Sequence, residues 1–151
     1  MRREFTSLLP LYREREENLY MYATANLQNR YKQDHVTTAT PVDLVIMLYD
    51  GCVKQLKLAK IHKENKDLAK VSESIEKAEE IVLELVRSLN TDIPMSKDLL
   101  ALYEFMLDEM VHANIMKDTD RLDPVIEMMS NLGGAWKEVK KSTENMTYSM
   151  E

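Results

Sequence analysis

Between residues 68 and 89 the apolar side chains recur at steps of three and four: Leu68, Val71, Ile75, Ala78, Val82, Leu85 and Leu89. That spacing collects them on one face of a helix and leaves the other face polar, so the segment is stable only where neighbouring helices cover the stripe. Asn90-Thr-Asp-Ile-Pro94 ends the pattern. Three other stretches repeat it. One runs from about Pro41 to Glu64, with Leu44, Met47, Leu48 and Cys52 on one face and Val45 and Tyr49 widening it. Another starts near Ser96 and carries Leu99, Leu102, Met106, Met110 and Ala113. The last begins near Asp120, tolerates Pro124 in its first turn, and carries Leu122, Val125, Met129, Leu132, Trp136 and Val139. Three glycines and four prolines in 151 residues leave little material for a turn-rich β fold. Short connections make successive helices antiparallel. The expected fold is all-α: an antiparallel up-down four-helix bundle with Val71, Ile75, Val82, Leu85 and Trp136 in its core. A short additional N-terminal helix is expected over about Glu17 to Lys32.

The length suits one domain with a real core. Residues 1–20 show scattered apolar positions without a stripe and read as an extension dispensable for folding, with Met21 an alternative start. Residues 21–145 form the bundle, and 146–151 read as a flexible tail. The start, Met1 to Pro10, is like a signal peptide only briefly, because its apolar core stops at Arg13-Glu-Arg-Glu-Glu17. No apolar run approaches the roughly 20 residues that span a bilayer, so a cytoplasmic chain without stable membrane insertion is expected. Cys52 stands alone, which excludes an intrachain disulfide, and its place on an apolar face makes it a packed thiol. A net charge of −6 argues against nucleic-acid binding through bulk positive charge. The basic run Lys137 to Lys141 reads as a helix C-terminus, where cations suit the dipole.

Catalytic chemistry finds little support. A di-metal carboxylate bundle needs a Glu-x-x-His pair on each of two helices. Glu109 and His112 supply one pair; His35 and His62 have no Glu three residues before them. There is no phosphate-cradling glycine loop and no spaced Cys/His set for zinc. No enzyme, cofactor or metal is expected. What remains is a binding surface. The 11 methionines include Met106, Met110 and Met129 on core stripes, whereas others can line a groove that accommodates an apolar partner. Gly133-Gly134 weakens its helix, or permits close approach of a neighbour. Helix physics leaves Tyr49 open between core and interface, since an aromatic ring with a polar tip suits either.

The stretch from Tyr31 to Gly51 joins a polar, extended segment to an abrupt helix start. Thr40 can N-cap, Pro41 suits the first helical position, and Asp43 stands where a capping-box acid would. Tyr31, Val36, Thr38-Ala39, Pro41, Leu44 and Met47-Leu48-Tyr49-Asp50-Gly51, with Ala135-Trp136-Lys137 later on, closely resemble the signature of the FliS family of flagellin export chaperones. The resemblance extends from about Tyr22 to Val139. It implies a cytosolic chaperone that binds the disordered C-terminal helical segment of flagellin and prevents premature polymerisation. Delivery to the flagellar type III export apparatus would then involve the gate component FlhA. It further implies a flagellin-binding site drawn from Tyr31, Val36, Ala39, Pro41, Leu48 and Tyr49, with Leu44 fixing the helix in the bundle, and it favours the interface role for Tyr49. Homodimerisation is left open. The competing readings are a di-metal bundle enzyme and a helical adaptor for another client.

Overall fold

Four helices follow the four apolar stripes: α1 (Pro41–Glu64), α2 (Leu68–Arg87), α3 (Met95–Met116) and α4 (Asp123–Met150), with a one-turn 3-10 helix (Thr119–Leu122) leading into α4. The structure is a computed structural model describing residues 41–150, with side chains described to residue 145. The expectations for the 1–20 extension, the N-terminal helix, the Thr40 cap, Tyr31, Val36 and Ala39 lie outside the described residues. Helical backbone in α4 continues through Met150, past the boundary expected at 145.

α1 is the central helix. It packs against α2 on one side and α4 on the other, while α3 packs against α2. Ion pairs report the direction of α4 on α1. Lys60 meets Asp123, Asp50 meets Lys137 at 3.1 Å and Asp43 meets Lys140 at 2.8 Å, so numbers rise along one helix as they fall along the other. At the start of α2, Ser72 Oγ donates to Asn114 Oδ1 near the end of α3 at 2.8 Å, which makes that pair antiparallel too. This is the expected up-down four-helix bundle.

The core joins the stripes. Leu56, Val71, Ile75, Val82, Leu85, Met106, Met110, Leu122, Val125 and Met129 are fully buried, and Cys52 lies among them. Trp136 is half-buried and packs against this cluster. Four members of the expected stripes are corrected, Met47 among them at 40% exposed. Leu68 is 48% exposed because it opens the first turn of α2, at the end of the bundle. Val139 is 46% exposed because its neighbour Lys140 already reaches Asp43, two residues from the start of α1. Leu44 is half-buried rather than a core anchor, again within the first turn of α1.

Two helices stop on a left-handed residue that is not glycine. Lys66 and Lys117 both adopt positive φ, 59° and 52°. After α1, Asp67 N–H bonds His62 O at 2.9 Å and Lys66 N–H bonds Lys63 O at 3.0 Å; after α3, Asp118 N–H bonds Ala113 O at 3.0 Å and Lys117 N–H bonds Asn114 O at 3.3 Å. These are the paired bonds of a Schellman stop. In each case the next residue starts the following helix. The Asp67 carboxylate accepts from Lys70 N–H and the Asp118 carboxylate from Asp120 N–H. A Lys-Asp dipeptide thus reverses the chain twice. The left-handed conformation costs a non-glycine residue about 1–2 kcal/mol. Lys117 offsets this by donating its ammonium to Ser72 Oγ at 2.6 Å and Asn114 O at 2.7 Å.

Replacing Leu85 by Ala removes a buried side chain from the middle of this core and is expected to cost about 2–5 kcal/mol. Urea unfolding of the two proteins measures this directly, and an unchanged midpoint would contradict the packing described.

Candidate functional site

The entry to α1 is unusual for a helix in a small bundle. From Pro41 to Leu48 it reads Pro-Val-Asp-Leu-Val-Ile-Met-Leu, with one charge, Asp43. No side chain in these two turns is fully buried. Val42, Leu44, Val45, Ile46 and Leu48 are half-buried, Met47 is 40% exposed and Pro41 is exposed. Apolar residues on every side of a helix call for cover on every side. α2 and α4 flank the helix, Val45 and Leu48 pack against the core, and Lys140 tethers α4 to Asp43; among the described residues Pro41 and Met47 stay exposed. Pro41, Leu44 and Leu48 stand at i, i+3 and i+7 and share a face. Leu44, expected as the anchor, therefore shares the face of Pro41 and Leu48, of which Pro41 is exposed and Leu48 rests on the core.

Tyr49 marks where α1 enters the core. It is 1% exposed, which corrects the expectation that its ring reaches the surface. Two features hold it inside. Gly133 lies so close that a Cβ there would stand 3.3 Å from Tyr49 Cβ, so α4 passes directly over the residue. From α3, the Tyr103 hydroxyl forms a hydrogen bond with the Tyr49 hydroxyl, so neither polar tip is orphaned. Sequence reasoning had noted Gly133 as a place of close approach without knowing what approached. Tyr103 was missed, being one polar-tipped aromatic on a helix already supplied with an apolar stripe.

Burial also shapes the site's titration. It raises the Tyr103 phenol well above its ordinary value, with the Tyr49 hydrogen bond and charge interaction adding to it. Desolvation by burial pushes the Cys52 thiol from 9.0 to about 12, which removes thiolate and with it nucleophilicity near neutral pH. Cys52 is packed beneath the Ala78 carbonyl, with Sγ 3.9 Å from the oxygen.

Of the other sequence candidates, Met106, Met110 and Met129 are buried, whereas Met47 and Met116 are exposed. His112 directs Nδ1 to the Asp108 backbone carbonyl at 2.8 Å, one turn back on its own helix. Among the described residues no group of three or more His, Cys, Asp or Glu is placed to hold a metal ion.

Comparison with known proteins matches this arrangement to one family. The family described as "Flagellar protein FliS" matches residues 23–143. The chain is 38% identical over 120 residues to the flagellar secretion chaperone FliS of Bacillus subtilis (strain 168), spanning 80% of this chain and 90% of that protein. It is 30% identical over 106 residues to the flagellar secretion chaperone FliS of Escherichia coli (strain K12), spanning 68% and 78%. A solved structure described as the crystal structure of a flagellar chaperone from bacteria has a TM-score of 0.65 at 21% identity, covering 79% of this chain and 98% of that one. At that identity the likeness carries the fold.

The tyrosine pair yields a double-mutant cycle. Tyr49→Phe or Tyr103→Phe alone leaves one buried hydroxyl unsatisfied and is expected to cost about 1–3 kcal/mol; the double Phe variant is expected to cost less than the sum of the two. Additive losses in denaturant melts would show that the hydroxyls do not act as a pair. The buried thiol yields a pH dependence. Between about pH 9 and 12 the unfolded chain has lost the Cys52 proton while the native protein keeps it. Stability is therefore fully present below pH 9 and falls as pH rises, by at most about 1.4 kcal/mol per unit for this group. Unfolding midpoints at pH 8 and 10.5 should fall less in Cys52→Ala than in the parent.

Proposed function

The chain belongs to the FliS family of flagellar secretion chaperones, and from that premise we propose that it holds the C-terminal segment of flagellin before export. The observation that carries the reading is the α1 entry, two turns of apolar helix in which, among the described residues, no side chain is fully buried and Pro41 and Met47 are exposed. A flagellin terminal segment that is buried in the assembled filament exposes an apolar face when free. Left uncovered, that face drives premature polymerisation. An isolated amphipathic segment does not sustain helix in water, so the client orders as it binds. A helix laid in a groove is the mode that suits both partners.

In this reading Pro41, Leu44 and Leu48 face the client, joined by Tyr31, Val36 and Ala39 from the preceding signature segment. Tyr49 contributes from below. It fixes the height of α1 between α3 and α4 rather than touching the client through its ring. The loaded complex forms in the cytoplasm and passes to the export gate through FlhA. Among the described residues no helix is long and apolar enough to cross a membrane. Membership of a chaperone family implies that the protein is not an enzyme, and no observation favours the di-metal reading over this one.

Purified protein is expected to retain full-length flagellin and not flagellin lacking its C-terminal segment. Titration calorimetry should return a negative heat-capacity change, the mark of apolar burial coupled to folding. Equal retention of both flagellins would move the site to another part of the client, and retention of neither would defeat the reading.

A further inference from the structure

The two adjacent glycines of α4 stand in different surroundings. Gly133 is buried against Tyr49, where a Cβ would be tight at 3.3 Å, whereas a Cβ on Gly134 would meet nothing within 4 Å. Close packing therefore accounts for Gly133 and not for Gly134. What Gly134 does is weaken the helix near its midpoint, through the backbone freedom a glycine retains.

The two halves of α4 are also held unequally. Ahead of the glycines, Leu122, Val125 and Met129 are fully buried. Beyond them Trp136 is half-buried, Val139 is largely open, and residues 141–145 are all exposed. The Lys137–Asp50 and Lys140–Asp43 ion pairs tie this half to α1, and three of their four side chains are about half exposed. Ion pairs at such exposure hold weakly and are screened by salt. A segment whose apolar anchor, Trp136, is half-buried and whose ion pairs are largely exposed, beyond a flexible joint, has the features of a unit that opens without global unfolding.

We infer that residues 135–150 form a strap that opens at Gly133-Gly134 and uncovers the stretch of α1 between Asp43 and Tyr49 while the rest of the bundle stays folded. Antiparallel register places the strap along that stretch, with Gly133 opposite Tyr49 and Lys140 opposite Asp43. Opening frees the side of α1 that α4 covers, so that an amphipathic client helix takes the place of the strap. The identity of that occupant rests on the chaperone reading; the opening does not.

Amide hydrogen exchange on the full chain, without client, tests the strap. Amides from 136 to 141 are expected to share one protection value at least about tenfold below that of 125–132, as a single local opening requires. Gly134→Ala should slow exchange in the strap about fivefold, the alanine–glycine difference in helix propensity expressed as an equilibrium, and leave 125–132 unchanged. Gly133→Ala should speed it by pressing α4 off Tyr49. Should Gly133→Ala fail to fold, Gly134→Ala alone decides. Uniform protection along α4, a gradient that merely frays from the C-terminus, or strap exchange indifferent to Gly134→Ala would overturn the strap. Adding the flagellin C-terminal segment should raise strap exchange further. A bound client that slows it would overturn the displacement, whereas a client that does not bind at all would defeat the chaperone reading and leave the exchange result standing.

Discussion

Three helices meet at one side chain. Tyr49 extends from α1, touches α4 where Gly133 has no side chain of its own, and ends in a hydrogen bond to Tyr103 of α3. The contact with α2 is made one turn on, where Cys52 packs beneath Ala78. A bundle whose helices pack only through aliphatic stripes can slide by a turn at modest cost. A hydroxyl pair deep in the core cannot, since any slide leaves two polar groups without partners. The Tyr49 node thus sets the height of α1, and with it which residues of α1 remain above the core.

In the proposed reading those residues are the part that meets the client. Once Tyr49 is fixed inside, the preceding two turns carry an apolar sequence with no fully buried side chain, Val45 and Leu48 resting on the core and Pro41 and Met47 exposed. Asp43, through its ion pair with Lys140, supplies a polar hold on these turns. The bundle below is made rigid by economical means. Each Lys-Asp dipeptide ends one helix and caps the next, and Lys117 ties its turn back to Ser72 and Asn114. A rigid base and an under-covered apolar entry are the combination expected of a protein that lends surface to a partner unable to cover its own. Membership of the FliS family agrees with that economy.

Much of this was legible in the sequence. Periodicity located all four helices, and the Thr40-Pro41-Asp43 pattern placed the start of α1 at Pro41, where it stands. The strong stripe of α2 named Val71, Ile75, Val82 and Leu85 correctly because a helix flanked on two sides has little choice of face. Periodicity failed where length, rather than face, decides burial. Leu68, Val139 and Leu44 all lie on stripes, yet each stands at a helix end or beyond the reach of its neighbour. It left Tyr49 open between core and interface, and the family resemblance tipped it to the interface, because the deciding partners, Gly133 and Tyr103, are 84 and 54 residues away in the chain, and one sequence carries no sign of that pairing. The helix stops were hidden for another reason: the usual glycine signal was absent, and a lysine does not advertise a left-handed backbone.

The central claim is that the α1 entry above Tyr49 receives the client. Backbone NMR shifts recorded while the C-terminal segment of flagellin is added to labelled full-length protein test it most directly. The account predicts that the largest changes fall within residues 41–48 and along the facing part of α4 from 135 to 140, with little change around Lys66 and Lys117 at the opposite end of the bundle. Saturable changes concentrated at that opposite end, with residues 41–48 unmoved, would contradict it.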